Sequence, residues 1–191
     1  MEGSDQNPAL HTQLPAVLDP TALLAPLDLD AKAFTLAEGW LGAARGERNF
    51  LGMVVSTGIG GGIVVDGELL GGSSGNAGHI GHVVVVPDGA TCRCGALGCL
   101  EAYLAGPAVE AESGRSPVRA PVQIIERNGT LLGRAVASAA ALVDCRRVVV
   151  GGSVALGWGE PFFEAANREL RSRSRLVFTA GLDIVPAGLG R

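Results

Sequence analysis

The sequence predicts an α/β fold, and three observations carry the prediction. Short β-branched and apolar runs occur at residues 51–57 and 147–150. Apolar residues recur at helical spacing over 30–45, 122–143 and 160–171. The two kinds of segment alternate along the chain. Hydrophobic residues make up 47 % and charged residues 18 % of the 191 residues, with a mean hydropathy of +0.32. This composition excludes a disordered chain. No stretch of about 18 uninterrupted apolar residues occurs, so a membrane span is not expected. The net charge of −4 argues against a nucleic-acid binder that relies on a basic face. Glycine, at 29 residues, is about twice as frequent as usual. The glycines lack a collagen period and point to special turns and close backbone approaches.

Residues 1–26 contain Pro8, Pro15, Pro20 and Pro26 and read as a linker or a remnant of something larger. They carry Glu2 and Asp5 and lack the basic-then-apolar pattern of a secretory signal, which implies a cytoplasmic chain. Ala31, Phe34, Ala37, Leu41 and Ala44 mark a helix over 30–45, with Asp30 as N-cap and Gly46 as C-cap. A buried strand is expected over 51–57, interrupted by Gly58, Gly60, Gly61 and Gly62. Segments 63–65 and 68–70 flank Asp66-Gly67 and read as a hairpin, because Asp-Gly supplies the positive φ of a two-residue turn. A loop of small residues over 71–78 leads to a strand at 83–86, which Pro87-Asp88-Gly89 ends. A short helix opens over 99–104, and the Pro- and charge-rich segment 107–121 reads as a loop. The helix over 122–143 places Ile125, Leu132, Val136 and Ala140 on one side, with Asn128-Gly129 weakening its middle. Strand 147–150 runs into Gly151-Gly152, helix 160–171 follows, and 182–185 forms a last strand. Arg171, Arg173 and Arg175 read as a solvated helix end.

Three of the four cysteines lie within eight residues. His82, Cys92, Cys94 and Cys99 have nine, one and four residues between them. One imidazole and three thiolates make a Cys₃His set suited to tetrahedral zinc. Gly89, Gly95 and Gly98 let the loop close round an ion. With every position filled by protein, such an ion is structural, and its task is to hold the loop and Glu101 in place. Cys145 sits at an apolar helix end and reads as core.

Ser56-Thr57-Gly58-Ile59-Gly60-Gly61-Gly62 follows a strand. Such glycines either converge backbone N–H groups on an anion or simply make a turn; the residues alone leave both readings open. The run lacks the terminal Gly-Lys-Ser/Thr of the P-loop. Gly151-Gly152-Ser153 is a second strand-to-glycine turn, and a pair of them suits a nucleotide lying between elements. Asp30 could accept a proton from a substrate hydroxyl, although capping explains it more simply on position alone. His79, three residues before His82, faces ligand or solvent from a loop.

These residues resemble the ROK family of glucokinase-like sugar kinases and sugar-responsive repressors. Gly-His-Ile-Gly-His at 78–82 with Cys-Arg-Cys-Gly-Ala-Leu-Gly-Cys-Leu-Glu at 92–101 is similar to the family signature with its CxCGxxGCxE zinc motif. The segment 56–67 resembles the family's second phosphate loop, and Val-Val-Val-Gly-Gly-Ser at 148–153 its adenosine-side segment. The resemblance covers roughly 27–189. It implies the second, C-terminal lobe of an actin-like ATPase (ribonuclease H-like) fold over 27–191, carrying a zinc-binding loop. It implies ATP-dependent phosphorylation of a hexose, with ATP and sugar as partners, Mg²⁺ on the phosphates, structural zinc, and dimers or tetramers. Asp30 falls on the family's catalytic aspartate, and His79, His82 and Glu101 on sugar-contacting positions. Thr57, Gly58, Gly60, Gly61 and Gly62 fall near the phosphates, and Gly151 and Gly152 near adenosine. A non-catalytic sugar-sensing regulator domain is the alternative within the same family.

The sequence departs from the family pattern at Leu29, where an asparagine is usual, and at His79, where a glutamate is usual. The first change removes a sugar hydrogen bond. The second replaces a carboxylate with an imidazole that accepts at most one. The Asp-x-Gly-Gly-Thr expected in a first lobe is not found. The segment 112–122 is short for the family, and a closing helix is expected beyond Gly190-Arg191.

Overall fold

A computed structural model of the protein describes residues 29–190. The expectation for 1–26 lies outside the described residues. Five strands form one sheet in the order β3-β2-β1-β4-β5. They are β1 (Phe50–Val55), β2 (Ile59–Val65), β3 (Glu68–Leu69), β4 (Arg147–Gly151) and β5 (Asp183–Pro186). The first three are antiparallel, joined by short turns, and β4 and β5 run parallel to β1 and to each other. Chain length between partners decides this. Two or three residues reverse a strand, whereas a parallel return needs a crossover carrying helices. The Asp66-Gly67 turn has φ of 55° and 85°, as its composition predicts.

Six helices complete the described residues. They are α1 (Leu29–Leu41), α2 (Glu101–Leu104), α3 (Gly106–Ser113), α4 (Val122–Val143), α5 (Ser153–Trp158) and α6 (Glu160–Arg173). Helix α1 covers one face of the sheet, where Ala44, Phe50, Val64 and Val149 are buried with Phe34 against them. The opposite face is covered by α4 and α6. There Leu51, Met53, Val55, Val148 and Val150 meet Leu132, Val136, Phe162 and Leu170 in the main core. The alternation of Phe50 with Leu51 and of Val149 with Val148 follows the two-residue period of a strand.

Several expectations need correction. Gly60–Gly62 do not interrupt a strand; they lie inside β2, paired with Val54, Met53 and Gly52. A Cβ at Gly60 would come within 2.8 Å of Ala31 Cβ, and one at Gly62 within 2.5 Å of Thr35 Oγ1. These glycines therefore let α1 lie directly on the sheet. Helix α1 stops at Leu41 rather than at 45, because the buried Glu38 carboxylate draws in the backbone N–H groups of Ala43, Gly188 and Leu189 at 2.7, 2.9 and 3.0 Å. Asp30 sits in its first turn. Residues 83–86 form no strand and hold only the isolated bridge Val84↔Cys99, since they are drawn to the cysteine loop and not to the sheet. The expected loop 107–121 contains α3 and a 3₁₀ turn at Pro117–Arg119. Pro107 starts α3, in the first turn where its missing N–H has no cost. Asn128-Gly129 does not weaken α4. Gly129 is where α6 crosses it, because a Cβ there would overlap Phe162 O, while Asn128 is fully buried and donates to Tyr103 O at 3.1 Å. Helix α5 is an addition to the predicted elements.

The β5 edge is closed by two residues. Asp183 and Ala187 donate inward to Arg146 O and Val150 O, so the alternate residues 184 and 186 point outward. Ile184 N–H and C=O are both bonded by the Asn167 amide, at 3.0 and 2.7 Å. Pro186 has no N–H to offer. No outward donor therefore remains for another strand to pair with. Replacing Asn167 with Ala is expected to cost on the order of 1–3 kcal/mol, because it strands a buried donor and acceptor together. Chemical denaturation of the two proteins measures the difference.

Candidate metal centre and adjoining cleft

The segment between β3 and α2 has no extended strand or α-helix, and glycines shape it. Gly78, at φ 110°, packs against Gly61, and Gly81 leaves no room for a Cβ beside Ile59 O, 2.7 Å away. This seats the 3₁₀ turn Ile80–His82 over β2 and fixes His82 at its end. Cys92 N donates to Ala96 O at 2.8 Å and Gly95 N to Cys92 O at 2.9 Å. The resulting tight turn needs Gly95 at φ 90° and projects Cys92 and Cys94 together. Gly98, at φ 74°, returns the chain so that Cys99 meets them.

The four ligand atoms of His82, Cys92, Cys94 and Cys99 all lie within 4.8 Å of one another. Cys92 Sγ is 3.7 Å from His82 Nδ1 and Cys94 Sγ is 3.8 Å from Cys99 Sγ. Zinc–thiolate bonds of about 2.3 Å in a tetrahedron place sulfurs about 3.8 Å apart, so the donors suit zinc in both chemistry and spacing. Burial, with the neighbouring thiols behind it, pushes the Cys99 thiol up to about 12. The backbone N–H of Ala96, followed by the Cys92 side chain, holds the exposed Cys94 below its ordinary value. Adjacent thiolates repel unless a cation lies between them, and a divalent ion removes that repulsion. Cys145 is buried, and desolvation pushes it up to about 11, which makes it a neutral core thiol.

Two residues past Cys99, Glu101 opens α2 and its Oε2 accepts from Ile59 N at 3.0 Å. Just past the other end of α2, Gly106 N donates to Ser56 O at 2.8 Å. The turn between β1 and β2 thus meets the metal loop at the mouth of a cleft of about 650 Å³, whose walls include Thr57, Gly58, Arg93, Glu101, Glu112 and Arg127. The second glycine turn lies alongside. Gly152 has φ 93°, and a Cβ there would overlap Val55 O; Ser153 Oγ is 3.1 Å from Ser56 Oγ. Both turns follow the carboxyl ends of the adjacent parallel strands β1 and β4, where open α/β sheets bind ligands.

The structure therefore gathers the four predicted metal ligands and brings Thr57, Gly58, Glu101, Gly151 and Gly152 to one edge of the sheet. It does not gather every predicted site residue. Gly60, Gly61 and Gly62 lie in β2 under α1 and the 78–80 loop, behind the turn. His79 is exposed and stacks on His82 with ring centroids 5.8 Å apart. It lines a separate apolar cavity of about 180 Å³ with Leu51, Met53, Ile63 and Ala139. Asp30 is exposed at the start of α1. Its neighbour Ala31 lies over Gly60, and Lys32 Nζ donates to Gly75 O.

Sequence reasoning missed the far wall of the cleft. Arg127 makes a two-pronged contact to Glu112 at 2.5 and 2.6 Å, which holds the Glu112 carboxyl below its ordinary value. Its guanidinium lies 5.9 Å over the Tyr103 ring, and the Tyr103 hydroxyl accepts from Ala90 N at 2.8 Å. Nothing in the spacing of residues 103, 112 and 127 signals this. Only the packing of α2, α3 and α4 brings them together.

Residues 20–173 match the sequence model of the ROK family. An N-acetylmannosamine kinase of Citrobacter koseri is 36 % identical over 166 residues, covering 78 % of this chain and 57 % of that protein. The chain thus spans little more than half the length of that relative. The crystal structure of a ROK hexokinase from Thermus thermophilus superposes with a TM-score of 0.76 at 36 % identity, covering 84 % of this chain and 59 % of that one. A ROK family transcriptional regulator, a homologue of the E. coli MLC protein, superposes with a TM-score of 0.75 at 26 % identity, covering 83 % and 46 %. The fold is accordingly that of the actin-like ATPases.

Purified protein is expected to hold one zinc per chain by elemental analysis, and Cys94→Ser to hold much less. Zinc affinity, measured by competition with a chromophoric chelator, is expected to fall as pH drops from about 7.5 to 5.5. Protons then compete with the ion for its ligand atoms, which bind it only in their deprotonated forms.

Proposed function

The chain belongs to the ROK family, and on that premise we propose that it is the second lobe of a kinase transferring phosphate from ATP to a hexose of the glucose or N-acetylhexosamine type. The observation that carries the reading is the convergence of the metal loop, Glu101 and two glycine turns at one edge of the sheet. The named activities of the relatives, N-acetylmannosamine kinase and hexokinase, support it.

In this reading Asp30 takes the proton of the attacking sugar hydroxyl as its oxygen bonds to the γ-phosphorus, and ADP leaves with the electrons of the broken bond. The exposed Thr57 and Gly58 at the tip of the β1–β2 turn face the phosphates, with Gly151 and Gly152 on the adenosine side. Magnesium on those phosphates supplies neutralisation of developing charge. His82 turns Nδ1 to Cys92 Sγ; its Nε2–H is then free to donate to a sugar oxygen. Glu101 completes the sugar contacts from the cleft wall, while His79, which the family resemblance implies as another, lines the separate apolar cavity. Leu29 and His79, in place of asparagine and glutamate, weaken that binding.

Both lobes of such a kinase align ATP against the sugar, and alignment supplies most of the rate. Activity of this chain by itself is therefore expected to be low. The similarity to a regulator favours a second reading, sugar sensing without turnover. A coupled assay with glucose, N-acetylglucosamine and N-acetylmannosamine, run beside calorimetry, separates the two. The kinase reading expects turnover that Asp30→Asn lowers at least about 100-fold, while sugar affinity changes little. Sugar binding without turnover, in this chain and in one joined to a first lobe, would overturn it in favour of the regulator.

A further inference from the structure

We propose that α2 acts as a lever making the shape of the Ser56–Gly58 turn depend on the metal loop, with Glu101 as the positioning residue. The proposal uses the kinase reading only to choose a probe; the linkage itself stands on geometry.

Cys99 is the last metal ligand, and α2 starts two residues later. Leu100, between them, is fully buried, as is Leu104 at the far end of the helix. Leu100 N is bonded to Val83 O at 2.9 Å, one residue past His82. The start of α2 is thus tied to both arms of the metal loop and has little freedom of its own. From this base the turn is gripped at both shoulders, by Glu101 of α2 and by Gly106, the first residue of α3 two positions past the end of α2. Glu101 Oε2 accepts from Ile59 N at 3.0 Å, on the β2 side. Gly106 N donates to Ser56 O at 2.8 Å, on the β1 side. Close approach reinforces the grip, because a Cβ at Gly58 would stand 3.3 Å from Glu101 Oε2. The same cleft is walled by Cys92 and Arg93 of the loop and by Thr57 and Gly58 of the turn.

With metal bound, Cys99 is fixed, and Glu101 with it. Without metal, three thiols crowded within a few ångströms lose the ion that holds them, and the start of α2 is released. The bond to Ile59 N then weakens, and the tip of the turn loosens. Linkage is reciprocal. A ligand that needs the turn in its present shape must raise metal affinity by the same factor by which metal raises the ligand's affinity.

Amide hydrogen exchange, read by nuclear magnetic resonance, tests this on the zinc-loaded chain, the chelated chain, and the zinc-loaded variants Glu101→Ala and Glu101→Gln. Chelation and Glu101→Ala are each expected to speed exchange at Ile59 roughly tenfold or more, with Met53 and Val149 in the central strands unchanged. Glu101→Gln keeps a carbonyl oxygen for Ile59 N–H and is expected to restore protection. Glu101→Ala is expected to retain its zinc, which separates positioning from assembly of the loop. Calorimetry with Mg·ADP is expected to show weaker binding after chelation by the factor that ADP adds to zinc affinity. Unchanged Ile59 exchange after chelation or in zinc-loaded Glu101→Ala, or loss of zinc from that variant, would overturn the proposal. Equal acceleration at Met53 and Val149 on chelation would also overturn it, because the loop would then hold the whole sheet and not the turn alone. Absence of any ADP binding would count against the kinase reading and leave the exchange comparison intact.

Discussion

Four ligand atoms within reach of one cation are the constraint on which the rest of the site depends. The chain from Leu70 to Leu100 is rich in glycine and holds only a 3₁₀ turn and two isolated bridges. Ordering such a stretch is costly, because glycine loses more conformational freedom than any other residue. Structureless loops of this length inside a compact domain are uncommon unless they serve a function. A tetrahedral ion on the four ligands would offset that cost with binding energy available only to the closed loop. The loop would then have one shape, and the helix that follows it one direction.

Around that anchor, close approach replaces side-chain bulk. Gly52, Gly60 and Gly62 let Thr35 and Ala31 of α1 rest on the backbone of the sheet. Gly129 and Gly133 do the same for α6 against α4. Helix α1 thus holds one face of the sheet at short range and the closely packed α4–α6 pair covers the other, while direct pairing keeps the ends of β1 and β4 in a fixed relation. The two glycine turns at those ends can then act on one ligand.

The sequence revealed what short-range chemistry encodes. The Cys₃His set was readable because ligand type and spacing state their own geometry, and the Asp66-Gly67 hairpin because the turn demands those residues. Helix α4 appeared with its observed bounds because 22 residues keep one apolar side. The meaning of most glycines was not legible. A glycine in a tight turn and one beneath a packed helix look alike in one dimension, so Gly60–Gly62 read as a break and Asn128-Gly129 as a weakness. Pro107 hid α3 for a related reason, since proline both ends and begins helices. Arg127, Glu112 and Tyr103 were invisible as a group, because three helices must pack before they meet.

X-ray absorption at the zinc edge tests the central claim most directly. The account requires a first shell of three sulfurs at about 2.3 Å and one nitrogen at about 2.0 Å, with no exchangeable water. A shell of oxygen and nitrogen alone, or one missing any of the three sulfurs, would contradict it.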